Sequence, residues 1–298
     1  MRLVVFSALI FMSVAALTSP AGRTQPEPSP RRLRVAVLDF GESKLGRQVA
    51  DLLALKLESP EIEIPDRDLV RSAVRGYGYQ GSLNLSVGDA RDLGNAIGCD
   101  FYFLGDAQTL RRSPSSGVPF FESYISIFLV SVRTGRLISW QRPRFEAAAP
   151  DKAEQSLISF LQKAEWKQPY LNALEKTQAA ERQERELAVE RNTPVIEEAS
   201  EDTVEATGIR TPRPYRRLRP DYPDSAAIAD AIGTVDVLVD LDKDGEVNRI
   251  DLARWAGFGM DEAAIDIVKK MHFFPAMREG VAIPIRVLLR YNFRRPTK

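Results

Sequence analysis

Two hydrophobic periods divide the chain. Toward its C-terminal end Val235, Val237, Val239 and Leu241 alternate with Thr234, Asp236, Leu238 and Asp240, the period of a strand with one buried face. Asp242-Lys243-Asp244-Gly245 follows, and Asp-Gly supplies the positive-φ positions of a tight hairpin. Glu246–Arg254 returns as the second strand, and Gly257–Gly259 breaks it. Met260, Ala263, Ala264, Ile267, Val268 and Met271 then recur at i, i+3, i+4, i+7, i+8 and i+11. That spacing predicts an amphipathic helix, with Asp261 and Glu262 at its positive start and Lys269-Lys270 at its negative end. Glu279-Gly280 turns the chain into a last strand, Ile283–Phe293. Ile285, Val287, Leu289, Tyr291 and Phe293 share one face of it, and Arg286, Arg290, Asn292 and Arg294 the other. The pattern predicts a small α+β domain over about 213–298.

Earlier in the chain, strand and helix patterns alternate. Leu33–Phe40 is an apolar run of strand length closed by Gly41, as a strand buried on both faces requires. Leu45–Leu57 has helical spacing and stops at Ser59-Pro60. Ile62–Ile64 reads as a short strand, and Pro65-Asp66 leads into a helix through about Val74. Ser86-Val87-Gly88-Asp89 opens another helix that ends at Gly98. Cys99–Leu110 is a strand, and Phe121–Val132 with Leu137–Phe145 a hairpin joined by Arg133-Thr134-Gly135-Arg136. A helix over about Asp151–Ala164 completes a three-layer-type α/β domain with a mixed sheet, about 33–165. Asp39 and Asp106 fall at strand ends, where capping is expected of them rather than a paired site. Cys99 is expected as a buried thiol.

Between the two domains, about 166–212, hydrophobicity drops. Gln168–Val189 is polar and helix-prone; Glu197, Glu198, Glu201, Asp202 and Glu205 follow; a basic, proline-bearing run then extends from Arg210 to Pro220. Segregated charge predicts a charged linker, helical at its start. At the N-terminus Arg2 precedes the apolar run Leu3–Leu17 and the small-residue exit Thr18–Gly22. This is the plan of a signal peptide over 1–22, cut after Ala21; an uncleaved anchor is the alternative. The prolines at 26, 28 and 30 make residues 23–32 a short extended leader.

Lys+Arg and Asp+Glu both number 41, so no net field draws the molecule to nucleic acid. One cysteine, Cys99, and one histidine, His272, exclude a disulfide framework and the thiolate-cluster and His-pair metal motifs. No phosphate loop, Ser-His-Asp arrangement or paired carboxylates stand out. The expectation is a binding protein and not an enzyme, with no catalytic residue, cofactor or metal. Asp242-x-Asp244-Gly245 starts like a calcium loop, but strands flank it and the later ligands are missing. His272 is expected as a helix C-terminal cap or an aromatic packer.

Arg219-Pro220-Asp221-Tyr222-Pro223, Gly233-Thr234-Val235, Leu241 through Val247, Met260 through Ala264, Phe274-Pro275-Ala276 and Gly280 stand in one order that closely resembles the C-terminal domain of TonB, the energy transducer of outer-membrane transport. The resemblance implies β-augmentation: a segment of an outer-membrane transporter or other envelope protein adds a strand to an exposed edge. It places partner binding at Tyr222 and Pro223 and, on the last strand, at Ile285, Arg286, Val287, Leu288, Leu289, Arg290, Tyr291 and Asn292. Tyr222-Pro223 is expected first as a strap across the domain. Arg286, Arg290 and Arg294 are expected as a solvated face, or as charges that guard the edge and steer an acidic partner. A second copy of the chain, giving a homodimer, is a further candidate partner.

Val35-Ala36-Val37-Leu38-Asp39-Phe40 and the spacing of Gly98, Asp100 and Gly105 resemble the periplasmic α/β domains of the curli secretion protein CsgG and the amino-terminal domain of TolB. Those relatives imply a scaffolding module with no catalytic residues. The expectation is therefore a periplasmic, TonB-like protein that binds an outer-membrane partner, with an inner-membrane-anchored form facing the periplasm as the alternative location. The alternative function is a non-energised assembly or secretion adaptor, because a whole α/β domain stands where TonB has a membrane helix and a long proline-rich spacer.

Overall fold

A strand that is apolar on both faces needs cover on both sides, and Leu33–Phe40 receives it. The computed structural model describes residues 32–163, 165–190 and 208–295. Its larger sheet contains β1 (Leu33–Val37), β2 (Ile62–Glu63), β3 (Phe101–Arg112), β4 (Phe120–Ser131), β5 (Leu137–Gln141) and β6 (Arg144–Ala147). The order is β2-β1-β3-β4-β5, with β6 also on β4. β1 runs parallel to β2 and β3, and the other pairs are antiparallel, so the sheet is mixed as expected. The predicted strand Leu137–Phe145 is cut at Arg142-Pro143 into β5 and β6, since Pro143 has no N–H to offer the ladder.

Side chains alternate between the two faces of this sheet. Val35, Val37, Phe101, Phe103, Ile125 and Ile127 pack on one side, under α1 (Lys44–Leu57), α4 (Pro150–Gln162) and the start of α5 (Gln168–Glu190). Ala36, Leu38, Tyr102, Leu104, Phe128 and Val130 pack on the other, partly under α2 (Arg67–Tyr77) and α3 (Val87–Ile97). Ser43, Asp66 and Ser86 cap α1, α2 and α3. Asp39 and Asp106, expected as caps, cap no helix among the described residues: Asp39 pairs with Arg67 and Arg71, and Asp106 accepts from Gln108 and the Tyr124 hydroxyl. The Cys99 thiol is buried, and burial pushes its pKa up to about 12.

The stretch expected as a linker is structured at both of its described ends. Trp166, Tyr170 and Leu174 are buried in the first core; four residues apart, they form one apolar stripe, which is enough to dock a helix that is polar elsewhere. Glu181 further along accepts from Ser131 Oγ at 2.6 Å. At the other end β7 (Ile209–Arg210) and β8 (Arg213–Pro214) join the C-terminal half by backbone pairing, which needs no apolar side chains. The acidic segment Glu197–Glu205 lies outside the described residues, as do the expected signal peptide and residues 23–31.

The C-terminal half continues with α6 (Asp224–Ala229), β9 (Gly233–Leu241), β10 (Val247–Arg254), α7 (Met260–Val268), β11 (Phe273–Phe274), β12 (Ala276–Arg278), β13 (Val281–Ile283) and β14 (Ile285–Phe293). Its main sheet is antiparallel, in the order β10-β9-β14. Pro284 separates β13 from β14, so the last strand begins two residues later than expected. In the hairpin turn Asp242 Oδ1 accepts the amides of Asp244 and Glu246, both at 2.9 Å, which commits the carboxylate to the backbone rather than to a calcium loop. Gly245 is required there: φ is +83°, and a Cβ would stand 1.9 Å from the Phe273 carbonyl oxygen. His272 lies beside the Tyr215 ring, with Nδ1 3.1 Å from Glu246; among the described residues it caps no helix.

Arg254–Phe258, expected only as a strand end and break, carries the contact between the two halves. Trp255 is fully buried, stacks on Phe128 at 6.1 Å and donates from Nε1 to the Gly135 carbonyl at 2.9 Å. Phe258 meets Phe128 edge-on at 5.3 Å. Asn84 donates to the carbonyls of Thr234 and Trp255 and accepts the Thr234 amide. Gly257 (φ +70°) leaves no room for a Cβ, which would lie 2.4 Å from the Phe128 ring. Buried Asp261, in the first turn of α7, accepts the amides of Ala256 and Gly257 at 2.8 and 2.9 Å.

Truncating Trp255 opens a cavity in this shared core and orphans the Gly135 carbonyl. Trp255→Ala should therefore cost about 3–5 kcal/mol in urea unfolding. A loss below about 1 kcal/mol would show that the halves do not depend on it. Burial lifts the Asp261 pKa from 3.8 to about 6. A raised carboxylate pKa means the folded state binds the proton more tightly, so this group favours folding below pH 4 and loses that contribution as pH rises through 6. Relative to Asp261→Asn, the native protein should gain up to about 3 kcal/mol between pH 7 and pH 4, at ~1.4 kcal/mol per pKa unit. Paired urea titrations at the two pH values measure the difference.

Candidate functional site

A three-stranded sheet has two edges, and in this protein one is engaged. β10 ends at Arg254, which bridges to Ser86 and donates to the Asn84 carbonyl at 3.1 Å. β14 pairs with β9 without a break from Ile285↔Leu241 to Phe293↔Gly233. Among the described residues nothing pairs with its other edge.

That open edge borders a groove of about 1050 Å³. All eight consecutive residues from Val287 to Arg294 line it, so side chains of both strand faces contribute, as they do where a groove follows a strand's edge rather than its face. The far wall is the segment from Thr211 to Tyr222, and Met271 and Phe273 add apolar surface. Pro212, Pro214 and Pro220 stand in that wall and have no N–H to donate, which limits its ability to pair with β14. Arg217, Arg219 and Arg294 make the groove positive; among the described residues they form no ion pair. This basic wall was read from the sequence as linker. Its signal was the proline spacing beside the Tyr222-Pro223 pair.

The expected binding residues divide. Tyr222, Val287, Leu288, Leu289, Arg290, Tyr291 and Asn292 line the groove. Ile285 is fully buried in the core. Pro223 precedes α6 and lies against Gly259. The Tyr222 hydroxyl donates to the Ala231 carbonyl at 2.5 Å, with the Ala226 carbonyl 3.2 Å away, while its ring adds to the groove.

Arg286 and Arg290 are not free steering charges: both are paired, although the Arg290 side chain remains 58% exposed. The β9–β14 register sets them opposite Asp240 and Asp236. Arg286 reaches Asp240 through two bonds of 2.6 and 2.8 Å, and Arg290 reaches Asp236 at 2.7 and 2.9 Å. Both aspartates are 5% exposed. Forked guanidinium–carboxylate pairs of this kind fix register as well as neutralising charge.

Removing one partner of such a pair leaves a buried carboxylate uncompensated. Arg286→Ala should destabilise the protein by about 2 kcal/mol, toward the low end for a buried pair because the guanidinium is partly solvated. Leu288→Ala, a half-exposed side chain two residues on, should cost under about 0.5 kcal/mol. Urea midpoints of the two variants test the contrast.

The family model for the Gram-negative bacterial TonB protein C-terminal domain matches residues 219–294. No curated protein sequence matches the chain. Solved structures similar to it include the solution structure of the Pseudomonas aeruginosa TonB C-terminal domain, 22% identical, covering 29% of this chain and 89% of that one with a TM-score of 0.26. E. coli LpoB is 13% identical over 50% of this chain and 85% of its own, with a TM-score of 0.27. A lipoprotein from Neisseria meningitidis is 12% identical over 43% and 94%, with a TM-score of 0.31. With its Asp-Gly hairpin, single main helix and long last strand, the segment 219–294 of this chain belongs to the TonB C-terminal domain family.

Proposed function

We propose that this is a periplasmic protein, carried there by its N-terminal export segment, whose TonB-like domain binds an outer-membrane protein by strand addition. The partner's extended segment lies along β14, exchanges backbone hydrogen bonds with it and sets alternate side chains into the groove. Met271, Phe273 and Tyr222 receive apolar positions, while Arg217, Arg219 and Arg294 favour acidic ones. The observation that carries this reading is the unpaired edge of β14 above an open groove, with the other edge of the sheet turned to the α/β half. Transport of the TonB-dependent kind is the process such a contact serves, and the α/β half acts as its scaffold. Among the described residues no helix is long and apolar enough to cross a membrane.

Peptides from outer-membrane transporters, titrated into the labelled full-length protein, should move amide resonances of Val287 through Asn292. Shifts confined to Asp242–Gly245 or to α7 would overturn the assignment. Leu288→Pro removes a donor in mid-strand and should weaken peptide binding by at least ~10-fold, about 1.4 kcal/mol. Circular dichroism checks that this variant folds. Arg219→Glu, outside any strand, should weaken the same binding in a salt-dependent manner with the fold intact.

A further inference from the structure

A second cavity, of about 280 Å³, lies between the two halves and shares no lining residue with the β14 groove. The α/β half supplies its polar side: Asp106 on β3, Tyr124 and Ser126 on β4, and Arg142 between β5 and β6. The C-terminal half supplies an apolar wall that includes Ile232 and Phe258.

The Arg142 side chain is only 6% exposed. Its guanidinium sits 3.8 Å above the Tyr124 ring, and Nη2 donates to Glu122 at 3.1 Å. The buried Nη1 has no hydrogen-bond partner, a costly condition for a charged donor. Glu122 is shared with Arg112, so the carboxylate is not Arg142's alone. Beyond the ring, the Tyr124 hydroxyl donates to Asp106 at 3.1 Å. Among the described residues Asp106 has neutral donors only, Tyr124 and Gln108. Burial first, and the Asp106 charge second, push the Tyr124 phenol up to about 12, so it remains a neutral donor.

The cavity thus offers an unmatched cationic donor and an unmatched carboxylate, set apart by one tyrosine ring. A simple anion would be repelled by Asp106, and a simple cation by Arg142. A molecule that carries both charges close together satisfies both, and the C-terminal wall adds an apolar requirement. The volume is at or below the lower end for small-molecule sites, which suits one residue rather than a peptide. We propose that this cavity binds a free α-amino acid with an apolar side chain: carboxylate to Arg142 and Ser126, ammonium to Asp106, side chain against Ile232 and Phe258. Because both halves touch it, the ligand also stabilises their junction.

Calorimetry on the full-length protein tests this with alanine, valine and leucine in both enantiomers, and with two leucine analogues. The analogues are 4-methylpentanoate, which lacks the ammonium, and 3-methylbutylamine, which lacks the carboxylate. At least one amino acid should bind with a Kd of about 1 mM or tighter, and each leucine analogue should bind at least ~10-fold more weakly than leucine. Asp106→Asn should weaken the amino acid by about tenfold and leave 4-methylpentanoate unweakened. Ile232→Ser alters a side chain that is 72% exposed, so the fold should survive while leucine binding falls. No heat from any amino acid up to about 10 mM, or 4-methylpentanoate binding as tightly as leucine, would overturn the proposal.

Discussion

The burial of Trp255 is the contact on which the arrangement of the two halves rests. The indole lies against Phe128 of the large sheet, its N–H is held by the Gly135 carbonyl, and its backbone amide by Leu85. An aromatic with all of its surface removed from water and its one polar atom satisfied contributes several kcal/mol. Its surroundings follow from that insertion. Gly257 takes a left-handed conformation because the chain turns within 2.4 Å of the Phe128 ring where a Cβ would go, and Asp261 accepts burial because the turning backbone needs acceptors for two amides.

One sheet therefore wears two kinds of cover. Helices take all of one face, whereas α2 and α3 take only part of the other and the TonB-like domain completes it. Such docking has a directional consequence. It occupies β10 near Arg254 and turns β14 outward, so the edge that remains open is the one beside the proline-bearing wall from Thr211 to Tyr222. The same contact creates the small cavity around Arg142, which belongs to neither half alone.

Charge on the C-terminal sheet is used in two distinct ways. Asp236 and Asp240 face Arg290 and Arg286 directly across β9 and β14, so these arginines hold register and shield buried carboxylates. The groove's positive character comes instead from Arg217, Arg219 and Arg294, which make no such pairs among the described residues. Similar residues a few positions apart on the chain thus serve stability in one case and partner attraction in the other.

The sequence by itself determined the local elements: the Val235–Leu241 alternation, the Asp-Gly turn, the Met260–Met271 helical period, of which the structure keeps Met260–Val268 as helix, and the two-sided character of Leu33–Phe40 each lie in short-range periodicity, which sterics and burial read directly. It also pointed to the open last strand, because the order of motifs carried the family resemblance. Tertiary structure alone decided that Trp255 enters the large sheet's core, that Trp166, Tyr170 and Leu174 dock a helix that looked like linker, and that Ile209 and Arg213 pair as strands. It also decided that Arg286 and Arg290 are paired with aspartates while Arg217 and Arg219 form no ion pair among the described residues. Periodicity tells which side of an element avoids water, but not which distant surface will cover it; that choice depends on shape, register and hydrogen-bond matching between residues more than a hundred positions apart, as between Trp255 and Gly135.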